Sequence, residues 1–344
     1  MMLTTVLLTG TAAGLVSATS AVPLRRLALR RGLTVQPDVR KVHREVTPYL
    51  GGIAILLGTL TAAYAAADDS AMIAILLGSC AVAVLGLLDD LQPLSPLVRL
   101  AVEIVVATGV VLNGVRAPLS GQWMDIPITV LWIVLMTNAF NLLDNMDGAL
   151  TCIAAASCGL LSATAFALGQ AGPGLLLAAL SAACLGFLLH NWRPAKMFMG
   201  DAGSLYLGFT TSCCAVLLVS KQDGAAVSAG LLLSTFLGVV DTAVVLLSRL
   251  LNGRSPFQGG TDHLSHRLRR LGLGTGTVAV TLAGVAALGG LLGLAVVLGA
   301  VDAMPAVIAA AAAALILIAL FQGVDVYETA TVSGAPPQST RKLS

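Results

Sequence analysis

Long apolar stretches separated by short polar breaks recur along nearly the whole chain. A helix needs ~17 to 25 mainly apolar residues to cross the hydrocarbon core of a bilayer. The pattern predicts eleven spanning helices, with ten as the alternative count, at residues 2–21, 49–67, 70–88, 98–115, 124–142, 149–169, 173–190, 202–220, 225–250, 275–300 and 303–322. The sequence is therefore typical of an all-α, polytopic integral membrane protein.

Composition agrees with a membrane-embedded fold. Hydrophobic residues make up 57% of the 344 positions and charged residues only 10%, whereas a soluble domain is ~25% charged. The formal net charge of +2 gives no reason to expect a nucleic acid as partner. We expect one transmembrane domain, residues 1–322, followed by a polar, proline-containing cytoplasmic tail, residues 323–344, that is disordered.

Basic residues fall almost entirely on one side of the predicted helices. Alternate connections, together with Arg99 and Arg249 at helix ends, hold 17 of the 19 lysines and arginines, and the opposite side keeps only Arg116 and Lys221. Because positively charged loops stay in the cytoplasm, the N-terminus is expected outside. The first apolar stretch has its arginines after it, which favours a retained helix over a cleaved signal. The chain is thus predicted to be a multi-pass protein of the inner (plasma) membrane.

Polar clusters interrupt the apolar pattern at the predicted cytoplasmic helix ends. The sequences GLLDDL, NAFNLLDNMDG and HNWRPAKMFMGDAGS carry Asp89, Asp90, Asn138, Asn141, Asp144, Asp147, Asn191 and Asp201, and the loop SPFQGGTDHLSHRLRR adds Asp262, His263, His266 and Arg267. The membrane holds these groups on one plane although they are far apart in the chain. The three-residue spacing from Asn138 to Asp147 makes successive members neighbours on a helix, so we expect one cluster.

Aspartates that converge in such a cluster would repel one another without a cation. Oxygen ligands without thiolates suit Mg²⁺, with Mn²⁺ as the alternative. Mg²⁺ usually accepts only one or two protein carboxylates and takes further ligands from water and substrate phosphates. The remaining carboxylates would then serve as bases or position the substrate.

Each cluster has a simpler explanation when it is taken singly. Asp201, followed by Ala-Gly-Ser, could be only a helix cap, and the pair Asp89-Asp90 could mark the membrane boundary. Taken together on one face, these groups favour a functional site, because ionisable groups at membrane depth are costly. Asp241 and Glu103 lie within predicted spans, and each has the alternative of pairing with a buried Arg or a backbone group.

The first basic loop contains a more specific segment, DVRKVHREVTPYLGG. Its residues Arg40, Lys41 and His43 bring charge that suits phosphate. Their simpler explanation is the positive charge that orients the first helix.

The five polar motifs, in this order and topology, resemble those of the polyprenyl-phosphate N-acetylhexosamine-1-phosphate transferases. They are RKVHREVTPYLGG, GLLDD, NAFNLLDNMDG, NWRPAKMFMGDAGS and SPFQGGTDHLSHRL, and they cover roughly residues 35–272. The resemblance implies an enzyme in which a membrane polyprenyl phosphate attacks the sugar-linked phosphate of a UDP-sugar, with Mg²⁺ required and UMP released. It implies UDP-sugar, polyprenyl phosphate and the membrane as partners, and a homodimer is a further expectation.

Roles for the matched residues follow from the resemblance and from their chemistry. Asp201 would be the main Mg²⁺ ligand, Asp89 and Asp90 would position or deprotonate the lipid phosphate, and Phe198 would lie near the uracil. The full prediction is as follows: catalytic, Asp89, Asp90, Asp144, Asp147 and His263; metal-binding, Asp201 and Asp144; substrate-binding, Lys41, Asn138, Asn141, Asn191, Phe198, His266 and Arg267.

The last loop distinguishes between branches of this superfamily. Its form SPFxxxxxHLxHRL resembles the enzymes that transfer N-acetylglucosamine-1-phosphate to start O-antigen, teichoic acid or arabinogalactan-linker synthesis. The phospho-MurNAc-pentapeptide translocase, the alternative, usually carries three consecutive histidines there. The chain departs from the branch pattern at Ser265, where a His is common, at Gly238, where a Pro is common, and at Asn145-Met146, which replace Gly-Leu.

Two other classes of membrane protein fit the sequence less well. A transporter or lipid flippase predicts polar residues across the whole bilayer, whereas here they cluster on one side. A CDP-alcohol phosphatidyltransferase, suggested by DNMDG, requires an Ala-Arg pair soon after the glycine. Ala149-Leu150-Thr151-Cys152 follows instead, which argues against that class.

Overall fold

A computed structural model describes residues 2–35, 47–66, 69–119, 121–220, 229–230, 232–255 and 260–327. Its helices are α1 (Met2–Arg31), α2 (Gly51–Thr59), α3 (Ser70–Leu91), α4 (Pro96–Leu112), α5 (Asp125–Leu143), α6 (Ala149–Ala167), α7 (Ala171–Asn191), α8 (Gly200–Val219), α9 (Phe236–Leu251), α10 (Leu264–Arg270), α11 (Thr275–Val297) and α12 (Ala303–Gln322). A 3-10 turn, Leu60–Ala66, continues α2. Two short strands, β1 (Thr34–Val35) and β2 (Thr47–Pro48), pair antiparallel.

Eight helices in the described part of the chain are long and apolar enough to cross a membrane, namely α1, α3, α5, α6, α7, α8, α11 and α12. The chain is therefore an all-α, polytopic membrane protein, as the apolar pattern predicts. The other three predicted spans, 49–67, 98–115 and 225–250, overlap the shorter helices α2, α4 and α9, and their residues 67, 225–228 and 231 lie outside the described ranges.

The first helix is longer than its apolar pattern predicts, because it packs along α7. It was expected to end at residue 21, but α1 continues to Arg31 and includes Pro23. Within it, Gly10 and Gly14 lie one turn apart, and a Cβ on Gly186 of α7 would lie only 2.1 Å from the Gly14 carbonyl oxygen. Small residues at such spacing let two membrane helices touch backbone to backbone.

Helix α8 forms the centre of the bundle, and residues 202–219 are all buried. Helices α3 and α5 press on it closely enough that one helix of each pair has a glycine at the contact, Gly86 on α3 and Gly208 on α8 itself. A Cβ on Gly86 of α3 would lie 2.3 Å from the Asp201 carbonyl oxygen, and one on Gly208 would lie 2.8 Å from Phe140 of α5. The polar ends of α3 and α5 are thereby held against the first turn of α8.

Candidate functional site

The first turn of α8 is capped from another helix. The backbone N–H groups of Asp201 and Ala202 donate to the two carboxylate oxygens of Asp90, on α3, at 2.9 and 3.1 Å. Free N–H groups at a helix start need such acceptors. Because Asp90 supplies both, Asp201 does not act as the cap of its own helix, and its side chain makes other contacts.

A single guanidinium joins two of the predicted carboxylates. Arg99 Nη1, at the start of α4, lies 3.0 Å from Asp89 Oδ2 and 3.2 Å from Asp201 Oδ2. The side chain of Arg99 is 23% exposed, so this contact lies at the edge of the solvent-accessible region. From its position in the sequence, Arg99 is predicted only to be a positive charge at a helix end. The signal that was available is Glu103, an acidic residue four positions later on the same helix face.

Glu103 is the buried partner of this arginine. Its side chain is completely buried, with Oε1 3.9 Å from Arg99 Nε, while Oε2 accepts a hydrogen bond from Asn138 Nδ2. Arg99 Nη2 in turn donates to Asn138 Oδ1 at 3.5 Å. The alternative of a structural partner for an arginine therefore applies to Glu103, which also sets the orientation of the predicted substrate-binding residue Asn138.

The motif NAFNLLDNMDG reaches the cluster by a different geometry from the predicted one. Asn141, on α5, donates to Asp201 Oδ1 and Ser204 Oγ, both at 2.9 Å. Helix α5 ends at Leu143, however, so Asp144 and Asp147 do not continue its face. The expectation of four neighbours on one helix was wrong, because the chain turns after Leu143. Asp147 is instead buried against the next loop and accepts from the Ala195 N–H at 3.1 Å.

The carboxylates nevertheless share one electrostatic environment. Burial, followed by the negative charges of Asp201, Asp90 and Asp147, raises the pKa of Asp144 to about 8. A carboxyl group in this position strongly favours a nearby cation. The charges of Asp201, Asp90 and Asp147 therefore act on Asp144.

The donor atoms of this cluster fit a hard divalent cation, although they do not form a complete cage. No set of three or more His, Cys, Asp or Glu side chains is arranged to hold a metal ion within the described ranges. Two carboxylates, Asp89 and Asp201, do converge on one positive group, Arg99. Mg²⁺ usually takes only one or two protein carboxylates, so an oxygen-only pair with Asp144 nearby is compatible with it.

The side chain of Asn191 makes most of its hydrogen bonds within the protein. It is 3% exposed; its Oδ1 accepts from the Gly148 N–H at 3.1 Å and from Thr151 Oγ1 at 2.6 Å, and its Nδ2 donates to the Met197 carbonyl at 3.0 Å. The side chain thus fixes the start of α6 to the loop before α8. These contacts give Asn191 a positioning role, and its substrate-binding role stays a prediction.

Phe198 lies in that same loop, beside the segment that leads into α2. Its backbone N–H donates to the Pro48 carbonyl at 2.9 Å, and its carbonyl accepts from the Gly51 N–H at 3.0 Å. The ring is half-buried two positions before Gly200, at the entry to α8. Phe198 thus lies in the segment that leads into α8, and Lys41 lies outside the described residues.

The loop that contains His263 and His266, called the histidine loop below, carries a buried Asp–His pair. His263 Nδ1 lies 2.9 Å from Asp241 Oδ2, and Asp241 Oδ1 accepts from the Leu264 N–H at 2.7 Å. Asp241 is fully buried in α9, so the pair fixes both the ring of His263 and the start of α10. A hydrogen bond from Ser265 to Asn145 places this loop against the residue next to Asp144. The second histidine, His266, is half-buried on α10.

Arg267, predicted to bind substrate, is buried and bonded within the protein. Its side chain is 1% exposed and donates to the carbonyls of Asp262, Phe321 and Val324 and to Ser248 Oγ. Four of its five N–H groups are thereby used within the protein. These contacts join the histidine loop to the segment after α12, and the substrate-binding role of Arg267 stays a prediction.

Comparison with known proteins supports the reading of these motifs. The model of glycosyl transferase family 4 matches residues 72–219, which run from α3 to α8. A Bacillus subtilis protein, described as a probable undecaprenyl-phosphate N-acetylglucosaminyl 1-phosphate transferase, is 34% identical over 266 residues, 73% of each chain. The chain belongs to glycosyl transferase family 4.

Two further relatives of this family 4 transferase are named for different enzyme activities. A Mycobacterium tuberculosis decaprenyl-phosphate N-acetylglucosaminephosphotransferase is 32% identical over 311 residues, covering 77% of this chain and 76% of that protein. A Moorella thermoacetica phospho-N-acetylmuramoyl-pentapeptide-transferase is 33% identical over 223 residues, covering 56% and 68%. The family 4 transferase is thus a membrane enzyme, a glycosyl-1-phosphate transferase.

Proposed function

We propose that this family 4 transferase moves N-acetylglucosamine-1-phosphate from UDP-GlcNAc to a polyprenyl phosphate such as undecaprenyl phosphate, releasing UMP. The observation that carries the proposal is the pairing of Asp89 and Asp201 across Arg99, at the meeting point of three helices. The Bacillus and Mycobacterium relatives, both named as polyprenyl-phosphate N-acetylglucosamine phosphotransferases, support the choice of substrates.

The residues of the cluster divide into positioning groups and groups that face the reactants. Both oxygens of Asp90 accept backbone N–H groups of α8, so its part is to place Asp201. Asp89, held by Arg99, is the better placed of the pair to orient or deprotonate the lipid phosphate. Asn141 orients Asp201 through its other oxygen. Since phosphoryl transfer depends mainly on positioning and charge neutralisation, such a rigid network suits the reaction.

Mg²⁺, with Mn²⁺ as the alternative, would be held by Asp201 and Asp144. When bound, it would neutralise the charge of the nucleotide diphosphate. Asp147 and Asn138 would support this region, and Phe198 would lie near the uracil. Arg99 adds a cation that can turn from carboxylate to phosphate.

The proposal includes a position in the cell. The transferase would cross the plasma membrane eleven times with its N-terminus outside, and its active site would face the cytoplasm, where UDP-sugars are made. Support comes from the 17 lysines and arginines on the predicted inner side. A homodimer is a further proposal, which light scattering of the detergent-purified protein would test.

The transfer of phospho-MurNAc-pentapeptide is the second candidate, favoured by the Moorella relative. The deciding measurement is UMP release by detergent-purified protein with undecaprenyl phosphate and Mg²⁺. UDP-GlcNAc, UDP-GalNAc and UDP-MurNAc-pentapeptide are offered separately, each with an EDTA control. EDTA-sensitive release with UDP-GlcNAc alone is expected. Release only with the pentapeptide substrate would overturn the branch, and no release with any of them would overturn the proposed reaction.

The role of Asp201 gives the first testable prediction. Asp201→Asn keeps the shape of the side chain but removes its charge and leaves one acceptor oxygen for the two donors Arg99 and Asn141, so kcat is expected to fall at least ~100-fold. The matched control is Asp302→Asn, at an exposed position before α12, and its kcat should stay within twofold of wild type. Retention of most activity by Asp201→Asn, in protein that purifies normally, would remove it from the metal site.

A further inference from the structure

We propose that Asn145 and Ser265 form a positioning pair that presents His266 Nε2 as a hydrogen-bond acceptor to a hydroxyl or N–H group of the nucleotide sugar. The proposal rests on the proposed function, because it concerns how the donor substrate is recognised. It changes the role expected for His266, which was contact with the sugar-phosphate.

The direction of each hydrogen bond follows from the carboxamide of Asn145. Its Nδ2 donates to the Leu142 carbonyl at 2.7 Å, which identifies the other end of the amide as oxygen. That oxygen contacts Ser265 Oγ at 2.5 Å. Because an amide oxygen only accepts, the hydroxyl proton of Ser265 must point to Asn145.

The tautomer of His266 follows from the direction of the Ser265 hydroxyl. Ser265 Oγ lies 3.3 Å from His266 Nδ1. Its only proton is already donated to Asn145, so toward the histidine it can act only as an acceptor. The ring proton of His266 must then be on Nδ1, and Nε2 is the nitrogen left for another partner.

Burial of Ser265 and His266 favours this hydrogen-bond arrangement. Ser265 is 1% exposed, so water does not compete easily for its hydroxyl. Burial, and then the neighbouring His263, lower the pKa of His266 to about 4. A ring that is neutral at pH 7 with its proton on Nδ1 has a bare lone pair on Nε2. Such a nitrogen accepts from a hydroxyl or an amide N–H but has no proton to offer to a phosphate oxygen.

The contact between Asn145 and Ser265 also joins the segment after α5 to the histidine loop. Asn145 follows Asp144 directly, and Ser265 lies two positions after His263. Both are positions at which the chain departs from the branch pattern that it resembles. Their direct contact gives the two departures one physical explanation, since each side chain supplies what the other needs.

The kinetic test compares Ser265→Ala, Asn145→Ala and the double variant in the UMP-release assay. Each single change frees the ring of His266 and is expected to raise the KM for UDP-GlcNAc about tenfold, as for the loss of one hydrogen bond, with kcat within twofold. The KM of the double variant should be no higher than that of the more impaired single variant. Ser212→Ala, a buried serine of α8 that donates to the Phe209 carbonyl of its own helix, is the matched control and should match wild type. An unchanged KM, or effects that multiply, would overturn the proposal.

Competition by UDP shows whether the sugar or the uracil supplies the hydrogen-bond donor to His266. If the sugar supplies it, the Ki of UDP in Ser265→Ala stays at the wild-type value while the KM of UDP-GlcNAc rises. If the uracil supplies it, both rise together. Either pattern supports an acceptor at His266, whereas a rise in neither contradicts it.

A spectroscopic test does not depend on turnover, so it remains decisive even if UDP-GlcNAc is not a substrate. Nitrogen NMR of the detergent-purified protein labelled with ¹⁵N-histidine, with His266 assigned by its loss in His266→Gln, should show a protonated Nδ1 and an unprotonated Nε2 at pH 7. Ser265→Ala should abolish that preference. A protonated Nε2 in the wild-type protein would overturn the proposal whatever the reaction proves to be.

Discussion

Arg99 is the residue on which the acidic cluster depends most. Its guanidinium lies within 3.2 Å of Asp89 and Asp201 and within 3.9 Å of the fully buried Glu103. One cation therefore offsets the mutual repulsion of three carboxylates. Removing one partner of a buried ion pair leaves the other uncompensated, which costs more than the pair contributes.

Arg99→Ala is accordingly expected to destabilise the protein by about 2 kcal/mol, a value below the ~3–5 kcal/mol of fully buried pairs because the arginine is partly exposed. Addition of Glu103→Gln should recover part of the loss, since it removes the stranded charge. Thermal unfolding in detergent measures both, with Arg116→Ala, an exposed arginine, as control. If Arg99→Ala unfolds at the wild-type temperature, the cluster does not rely on this residue.

At the scale of the helices, apolar runs predict positions well and ends less well. The predicted span 124–142 and the observed helix Asp125–Leu143 agree closely, because a long apolar run is a local property of the sequence. The continuation of α1 to Arg31 was not predicted, since it depends on packing along α7.

The same limit applies to the site. The sequence motifs identify Asp89, Asp201 and Asn141, which do meet. They do not show that Asn191 and Arg267 spend their hydrogen bonds on the protein itself, because those partners come from distant parts of the chain. Motifs indicate which residue types are present, whereas tertiary contacts determine which of them remain available to a substrate.

The start of α8 is an element whose geometry requires glycine. Gly200 has φ +70°, and a Cβ there would lie 2.5 Å from Asp90 Oδ2, one of the two oxygens that cap the helix. Left-handed backbone costs a residue with a side chain roughly 1–2 kcal/mol, and the added methyl would displace the cap. The position of Asp201, the next residue, depends on both.

Gly200→Ala is therefore expected to lower kcat at least tenfold and to lower the unfolding temperature. Gly109→Ala on α4 is the matched control, because a Cβ there meets no atom within 4 Å and alanine favours a helix. It should leave kcat unchanged. Equal kcat values in the two variants would contradict the proposed link between the cap and the site.

For the whole molecule, the segment after α12 closes on the histidine loop. Arg267 Nη1 donates to the Phe321 and Val324 carbonyls, and Tyr327 OH donates to Asp262 Oδ2 at 2.8 Å. Asp262 also accepts two hydrogen bonds from Arg249, and these partners lower its pKa despite burial. Residues 323–327, expected to belong to a disordered tail, thus pack on the domain.

A pair of truncations tests this contact. Removal of 323–344 takes away Val324 and Tyr327, strands an N–H group of the buried Arg267, and is expected to cost about 1–3 kcal/mol and to lower kcat. Removal of 328–344 alone keeps every contact described here and should leave both unchanged. Thermal unfolding and UMP release measure the difference, and identical behaviour of the two truncated proteins would show that the segment is not needed.

The closure of the chain on Arg267 also sets an order on biogenesis. Arg267 is synthesised 54 residues before Phe321, the first of its C-terminal acceptors. Until α12 has entered the membrane, the arginine has no carbonyls at that end to bind, and the loop that carries His263 lacks its contacts with the segment after α12. We expect a nascent chain to remain inactive until its last helix is inserted, so that unfinished protein does not consume lipid phosphate.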